Sequence, residues 1–107
     1  MRYEIILSPQ AIEDLNRLKA PAGSMMRAAL ERHLRYEPAR ASKSRIKRLR
    51  GLAQPQFRLR VGDIRVFYDV SETAVEVLAI VPKAAAEAWL QQAGKPDEAS
   101  TPDGSEE

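Results

Sequence analysis

The 107-residue sequence predicts an α+β fold: an N-terminal strand and a helical hairpin packed on a three- to four-stranded antiparallel sheet, with a short C-terminal helix. Three observations carry this expectation. Two amphipathic helical stretches follow the first alternating segment and are separated by a single Pro/Gly interruption. Further on, three β-branched or aromatic runs are joined by hairpin-length turns. Helices segregated from a meander of strands in this way define an α+β arrangement rather than alternating βαβ units.

The elements follow in order. Arg2 to Leu7 alternates, with Tyr3, Ile5 and Leu7 on one face, and reads as a strand. Ser8 offers an N-cap and Pro9 a first-turn proline, after which Ile12, Leu15 and Leu18 fall on one helical stripe beside Ala11. Pro21-Ala22-Gly23-Ser24 breaks this helix. A second follows to about Tyr36, with Met26, Leu30 and Leu34 one turn apart and Pro38 closing it. Such a hairpin needs an apolar sheet face to cover its stripe. Ala39 to Ser44 is a polar connector, and Arg45 to Leu52 fits either a short strand or an ordered basic loop. Phe57–Val61, Ile64–Val70 and Ala74–Val81 then form a three-stranded antiparallel meander with turns at Gly62-Asp63 and Ser71-Glu72-Thr73. Pro82 stops the last strand, and Lys83 to Gln92 is a short helix carrying the only tryptophan, Trp89. Beyond it the chain lacks large apolar residues and has little to offset the entropy of ordering. One domain over residues 1–93 and an acidic, disordered tail over 94–107 are expected.

Composition narrows the chemistry. With no cysteine there are no disulfides, thiolate nucleophiles or Cys-based zinc sites, and one histidine without clustered carboxylates leaves no metal centre or cofactor to expect. The charged N-terminus does not suit a signal peptide, and no apolar run approaches the roughly 18 residues of a membrane span. A cytoplasmic protein without a membrane partner is expected. The net charge is only +2, yet Arg40 to Arg65 holds nine basic residues against the single acid Asp63, while Lys95 to Glu107 holds five acids against one lysine. A concentrated basic block is the electrostatic footprint of phosphate binding.

The register of the first hairpin sharpens the point. With Gly62-Asp63 as a two-residue turn, Val61 faces Ile64, Arg60 faces Arg65, Leu59 faces Val66 and Arg58 faces Phe67. Phe57, Leu59, Val61, Ile64, Val66, Tyr68 and Val70 then share a core face, and Arg58, Arg60, Arg65, Phe67 and Asp69 share the other. Like charges directly opposite each other cost stability in a sheet, which points to an anionic ligand. Guanidinium forks bind phosphate oxygens bidentately, and Phe67 among them offers a surface for a base. Arg45, Lys47, Arg48 and Arg50 extend the basic track. The competing explanation is that arginine stems simply cover an open sheet face with their heads in water.

The run Lys47-Arg48-Leu49-Arg50-Gly51, then Phe57-Arg58-Leu59-Arg60-Val61-Gly62-Asp63-Ile64-Arg65-Val66-Phe67-Tyr68, then Val77 to Lys83 resembles the RelE/ParE superfamily of bacterial toxins, over about Met1 to Leu90. The resemblance implies a toxin of a type II toxin–antitoxin system, held inactive by a cognate antitoxin and reaching operator DNA only through that complex. In the RelE-like branch, which the arginines favour, it implies a ribosome-dependent endoribonuclease, an mRNA interferase that enters the ribosomal A site, cleaves the mRNA and inhibits translation. The family's basic strand positions match Arg58, Arg60 and Arg65, with Lys83 assisting as the remaining catalytic candidate. Arg45, Lys47, Arg48, Arg50, Phe67 and Trp89 are the candidates for RNA binding. Two departures stand out: Ala84 follows Lys83 where an arginine is common, and Trp89 or Leu90 occupies the place of a catalytic tyrosine. They favour two alternatives, a ParE-like DNA gyrase poison without hydrolytic activity or a catalytically inactive partner in an autoregulatory complex. His33 lies among Ala29, Leu30 and Leu34, where helix packing is its expected role.

Overall fold

The structure, a computed structural model, describes residues 1–97. Its elements are β1 (Glu4–Leu7), α1 (Pro9–Arg17), α2 (Ala22–Leu34), β2 (Ile46–Arg48), β3 (Leu52–Gln54), β4 (Phe57–Val61), β5 (Ile64–Val70), β6 (Ala74–Pro82), α3 (Lys83–Ala93) and β7 (Lys95–Pro96). The α+β fold is the expected one, with a larger and mixed main sheet: five strands in the order β1-β6-β5-β4-β2. The added strands are at the edges. β1 joins β6 in parallel, Glu4 beside Ala74 through Leu7 beside Val77, and β2 joins β4 antiparallel.

The helical hairpin covers one face. Met26, Leu30 and Leu34 of α2 are buried as their spacing predicts, against Leu59, Val66, Tyr68, Val75, Val77 and Ile80 from the strands. α1 is rotated from its expected stripe: Ile12 is 46% exposed, while Ala11, Asp14 and Leu15 face inward. The polar groups of α1 explain the rotation. Beyond Val77, β6 has no strand beside it on the β1 side, so its backbone needs other partners. The Ser8 hydroxyl donates to the Leu78 carbonyl at 2.9 Å and accepts from the Ala11 N–H at 3.0 Å, capping α1 and satisfying β6 together. The Asp14 carboxylate accepts the Ile80 N–H at 2.9 Å and is paired with Arg17 at 3.0 Å.

α3 covers part of the opposite face, packing Ala86, Trp89 and Leu90 with Leu49 on the buried cluster Phe67, Ala79 and Val81. A bulge makes this possible. Phe67 pairs with Ala79 but Tyr68 pairs with Val77, leaving Leu78 as one extra residue in β6. Past α3, Lys95 and Pro96 pair with β3 and the Asp97 N–H donates to the Gly51 carbonyl at 3.0 Å. Backbone pairing of this kind needs no large apolar side chain. The rest of the expected tail lies outside the described residues.

Candidate nucleic-acid interface

The site is built on the β4–β5 hairpin. Gly62 takes a positive φ of 58° in the two-residue turn, a conformation glycine adopts without steric cost. The turn sets the pairs Arg60 with Arg65 and Arg58 with Phe67, as the sequence predicts. The Arg60 N–H donates to the Arg45 carbonyl at 2.8 Å, so its backbone bonds point toward β2 and away from β5. Arg60 and Arg65 therefore form a non-hydrogen-bonded pair, the antiparallel geometry that brings facing side chains closest.

Around this pair lies an open cavity of about 340 Å³ lined by Arg58, Arg60, Arg65, Arg45, Lys47 and Lys83, together with Lys43 and Ser44. Each strand contributes by alternation. Lys47 stands opposite Arg58 on β2, while Ile46 and Leu59 turn into the core. Lys83 is the first residue of α3, whose start has no side-chain cap, so the positive end of that helix lies at the cavity as well.

The electrostatics are unbalanced. Among the described residues, none of the basic groups lining this cavity makes a salt bridge; the ion pairs belong to Arg17, Arg35 and Arg40. Arg65 is only 8% exposed, and its guanidinium donates to the carbonyls of Gly62 at 2.9 Å and Ile64 at 3.1 Å, not to a carboxylate. Burial first, then the adjacent charges of Arg58 and Arg60, hold its pKa below the usual arginine value, with Asp63 opposing them weakly. The Nε of Arg58 is buried with no hydrogen-bond partner among the described residues. A cationic donor sealed from water without an acceptor is costly unless an acceptor arrives. Stems merely covering the sheet leave the Arg58 Nε unaccounted for. The arrangement fits an oxyanion such as a phosphodiester, which supplies acceptors and negative charge together.

Not every predicted residue joins this groove. Phe67 shares the arginine face but is 0% exposed, stacked under Trp89 with ring centroids 4.9 Å apart and planes 16° from parallel. The expectation that Phe67 stacks on a base is therefore corrected, because α3 occupies its open side. The same contact makes Trp89 a packing residue, whose indole N–H donates to Gln10 Oε1 at 3.3 Å. Arg48 turns to the helix-covered side, with its guanidinium 5.2 Å from the centroid of the Phe57 ring. Arg50 lies at the β2–β3 turn, outside the groove lining. Asp69 is held away by the Gln56 N–H at 2.7 Å and the Gln54 side chain at 2.6 Å. Lys43 and Ser44, passed over as connector, line the groove; the signal for Lys43 was its membership of the basic block. Among the described residues no three His, Cys, Asp or Glu side chains are grouped to hold a metal ion, and no helix is long and apolar enough to cross a membrane.

A helical hairpin covers one face of the mixed sheet, and on the other, beside α3, lies an arginine groove without a salt bridge among the described residues, which defines a small α+β protein with a basic interface. The family described as ParE toxin of type II toxin–antitoxin system, parDE, matches residues 5–86, and the chain belongs to it. No curated protein matches significantly. Among solved structures, the archaeal RelE–RelB complex from Pyrococcus horikoshii is similar with a TM-score of 0.58 and 27% identity, over 78% of this chain and 97% of that one. The toxin–antitoxin complex RelBE2 from Mycobacterium tuberculosis is similar with a TM-score of 0.56 and 25% identity, over 77% and 99%. The YoeB dimer from Staphylococcus aureus shares the fold, with a TM-score of 0.52 and 18% identity over 76% and 97%.

Proposed function

We propose that this toxin is a ribosome-dependent mRNA endoribonuclease that acts in the cytoplasm and is held inactive by a cognate antitoxin covering its groove. The observation that carries the reading is the set Arg58, Arg60, Arg65 and Lys83, gathered with Arg45 and Lys47 around one cavity without an acidic partner among the described residues. In this reading the 2′-hydroxyl of the mRNA gives up its proton to solvent water as it attacks the adjacent phosphorus, the bond to the 5′-oxygen of the next nucleotide breaks and that oxygen takes up a proton, and a 2′,3′-cyclic phosphate forms. Negative charge accumulates on the phosphoryl oxygens in the transition state, where fixed guanidiniums stabilise it. Arginine stays protonated and moves no proton; in this reading Lys83, which lines the same cavity, assists by protonating the leaving oxygen. Enclosure of Arg65 and Arg58 strengthens their pull on the phosphate, since little water screens it. The complexes from Pyrococcus horikoshii and Mycobacterium tuberculosis pair a similar fold with an antitoxin, which supports such a partner here; operator DNA is then reached through the complex.

Primer extension on a defined mRNA held in programmed ribosomes tests the reading. Cleavage inside the A-site codon that requires ribosomes and disappears in Arg60→Ala/Arg65→Ala is the expected result. An intact message at high toxin concentration overturns it. A second reading, a gyrase poison without hydrolysis, is favoured by the ParE family match and by Ala84 and Trp89 in place of proton-transfer groups. A supercoiling assay separates the two.

A further inference from the structure

A second cavity, of about 280 Å³, opens beside the arginine groove at the β2 edge of the sheet. It is lined by Arg32, His33, Tyr36, Glu37 and Arg40 from the end of α2 and the turn after it, and by Arg45, which also lines the groove. Glu37 is engaged by Arg40 at 3.2 Å, so the uncompensated charges are those of Arg32 and Arg45. Tyr36 is 59% exposed, an unusual state for a large aromatic side chain that anchors no core. The helix-packing role expected for His33 is incomplete, because the ring is half-buried and opens onto this cavity.

We infer that the RNA strand bound in the arginine groove continues over Arg45 into this cavity, where the Tyr36 ring stacks on one unpaired base. The inference rests on the RNA reading of the groove. Arg45 is the hinge of the path. Its carbonyl is fixed by the Arg60 N–H at 2.8 Å, so the side chain that borders both cavities stands where the phosphate between two nucleotides crosses the sheet edge. Binding of an extended single strand combines a cationic track with aromatic platforms. Burial and the nearby charges of Arg45 and Arg32 lower the His33 pKa, so at neutral pH its imidazole is uncharged, with one donor and one acceptor for a base edge. An exposed ring beside guanidiniums favours nucleotides over an acidic peptide, which has charge but no flat face to stack.

The test uses an uncleavable 2′-O-methyl RNA octamer carrying 2-aminopurine at each position in turn, titrated with the full chain at low ionic strength. One position is expected to be quenched on binding. Tyr36→Ala should abolish that quenching and weaken binding roughly tenfold, whereas Tyr36→Phe, which keeps the ring, should preserve both. Arg60→Ala/Arg65→Ala should lose binding of the whole octamer. Octamer binding that needs the arginine pair but shows no quenched position, or is indifferent to Tyr36→Ala, overturns the base site while leaving the groove intact. Binding indifferent to the arginine pair, or no binding, overturns the groove reading and this one with it. A poly-glutamate peptide that displaces the octamer from wild type but not from Tyr36→Ala assigns the cavity to an acidic protein partner and also overturns the proposal.

Discussion

The carboxylate of Asp14 receives the backbone N–H of Ile80 at 2.9 Å, linking α1 to the far half of β6 across 66 residues of sequence. A helix side chain here does the work of a missing neighbouring strand. The carboxylate is buried, and its other oxygen is held by Arg17 at 3.0 Å.

Asp14→Ala should therefore cost about 2–3 kcal/mol, because it strands a buried N–H and opens a small void. Asp14→Asn keeps an acceptor and should cost about half as much. Urea unfolding midpoints at neutral pH measure both. A loss for Asp14→Ala within about 0.5 kcal/mol of zero would mean that water satisfies Ile80 instead.

The close Arg60–Arg65 pair gives stability and function opposite signs. In buffer without multivalent anions, Arg60→Gln should leave stability unchanged or raise it by up to about 0.5 kcal/mol, since a facing like charge is removed. Added phosphate should raise the melting temperature of wild type more than that of the variant, because binding to the folded state alone is stabilising. Equal responses in calorimetry would show that the groove has no anion preference.

Tyr68 is fully buried, donates its hydroxyl to the Pro38 carbonyl at 2.6 Å and stacks on Phe57 with centroids 5.5 Å apart. Tyr68→Phe keeps the stack and leaves that carbonyl unpaired, for an expected cost of about 1–2 kcal/mol in chemical denaturation. Burial also pushes the phenol pKa upward, so the folded chain holds this proton more tightly than the unfolded one. Its contribution is intact below about pH 10 and is lost as pH rises beyond it. Tyr68→Phe should flatten that alkaline decline.

His33 acts at the other end of the scale. Burial first, then Arg45 and Arg32, lower its pKa from the usual 6.5, so the folded state favours the neutral ring. The unfolded chain takes up the proton first as pH falls. The contribution of His33 is full above about pH 6.5 and is lost as pH drops through that value toward the lower folded one. Denaturation midpoints at about pH 7.5 and 5.5 should differ less in His33→Gln than in wild type. An unchanged slope would assign the acid sensitivity to carboxylates.

Much of the groove was legible in the sequence because one tight turn determines it. Gly62-Asp63 fixed the pairing of Arg58, Arg60 and Arg65, and alternation along β2 explains why Lys47 joins them while Arg48 turns away. What alternation does not reveal is a covering element. Phe67 has the same parity as the arginines, and only the placement of α3, set by the long-range contact with Trp89, removes it from the surface. The β1–β6 pair and the β7–β3 pair escaped for the same reason, since short strands joined across most of the chain carry no local pattern naming their partner. Apolarity alone places Ile12 on the buried face. The actual orientation of α1 answers to Ser8 and Asp14, whose hydrogen bonds to β6 outweigh one isoleucine.

The extra residue at Leu78 sets which way the second half of β6 faces. Before it, Val75 and Val77 point toward the helical hairpin; after it, the parity flips, so Ile80 takes that side and Ala79 and Val81 turn toward α3. Deleting one residue here would exchange those two sets and swing the start of α3, with Lys83, out of phase with the arginines, although every residue of the groove would still be present.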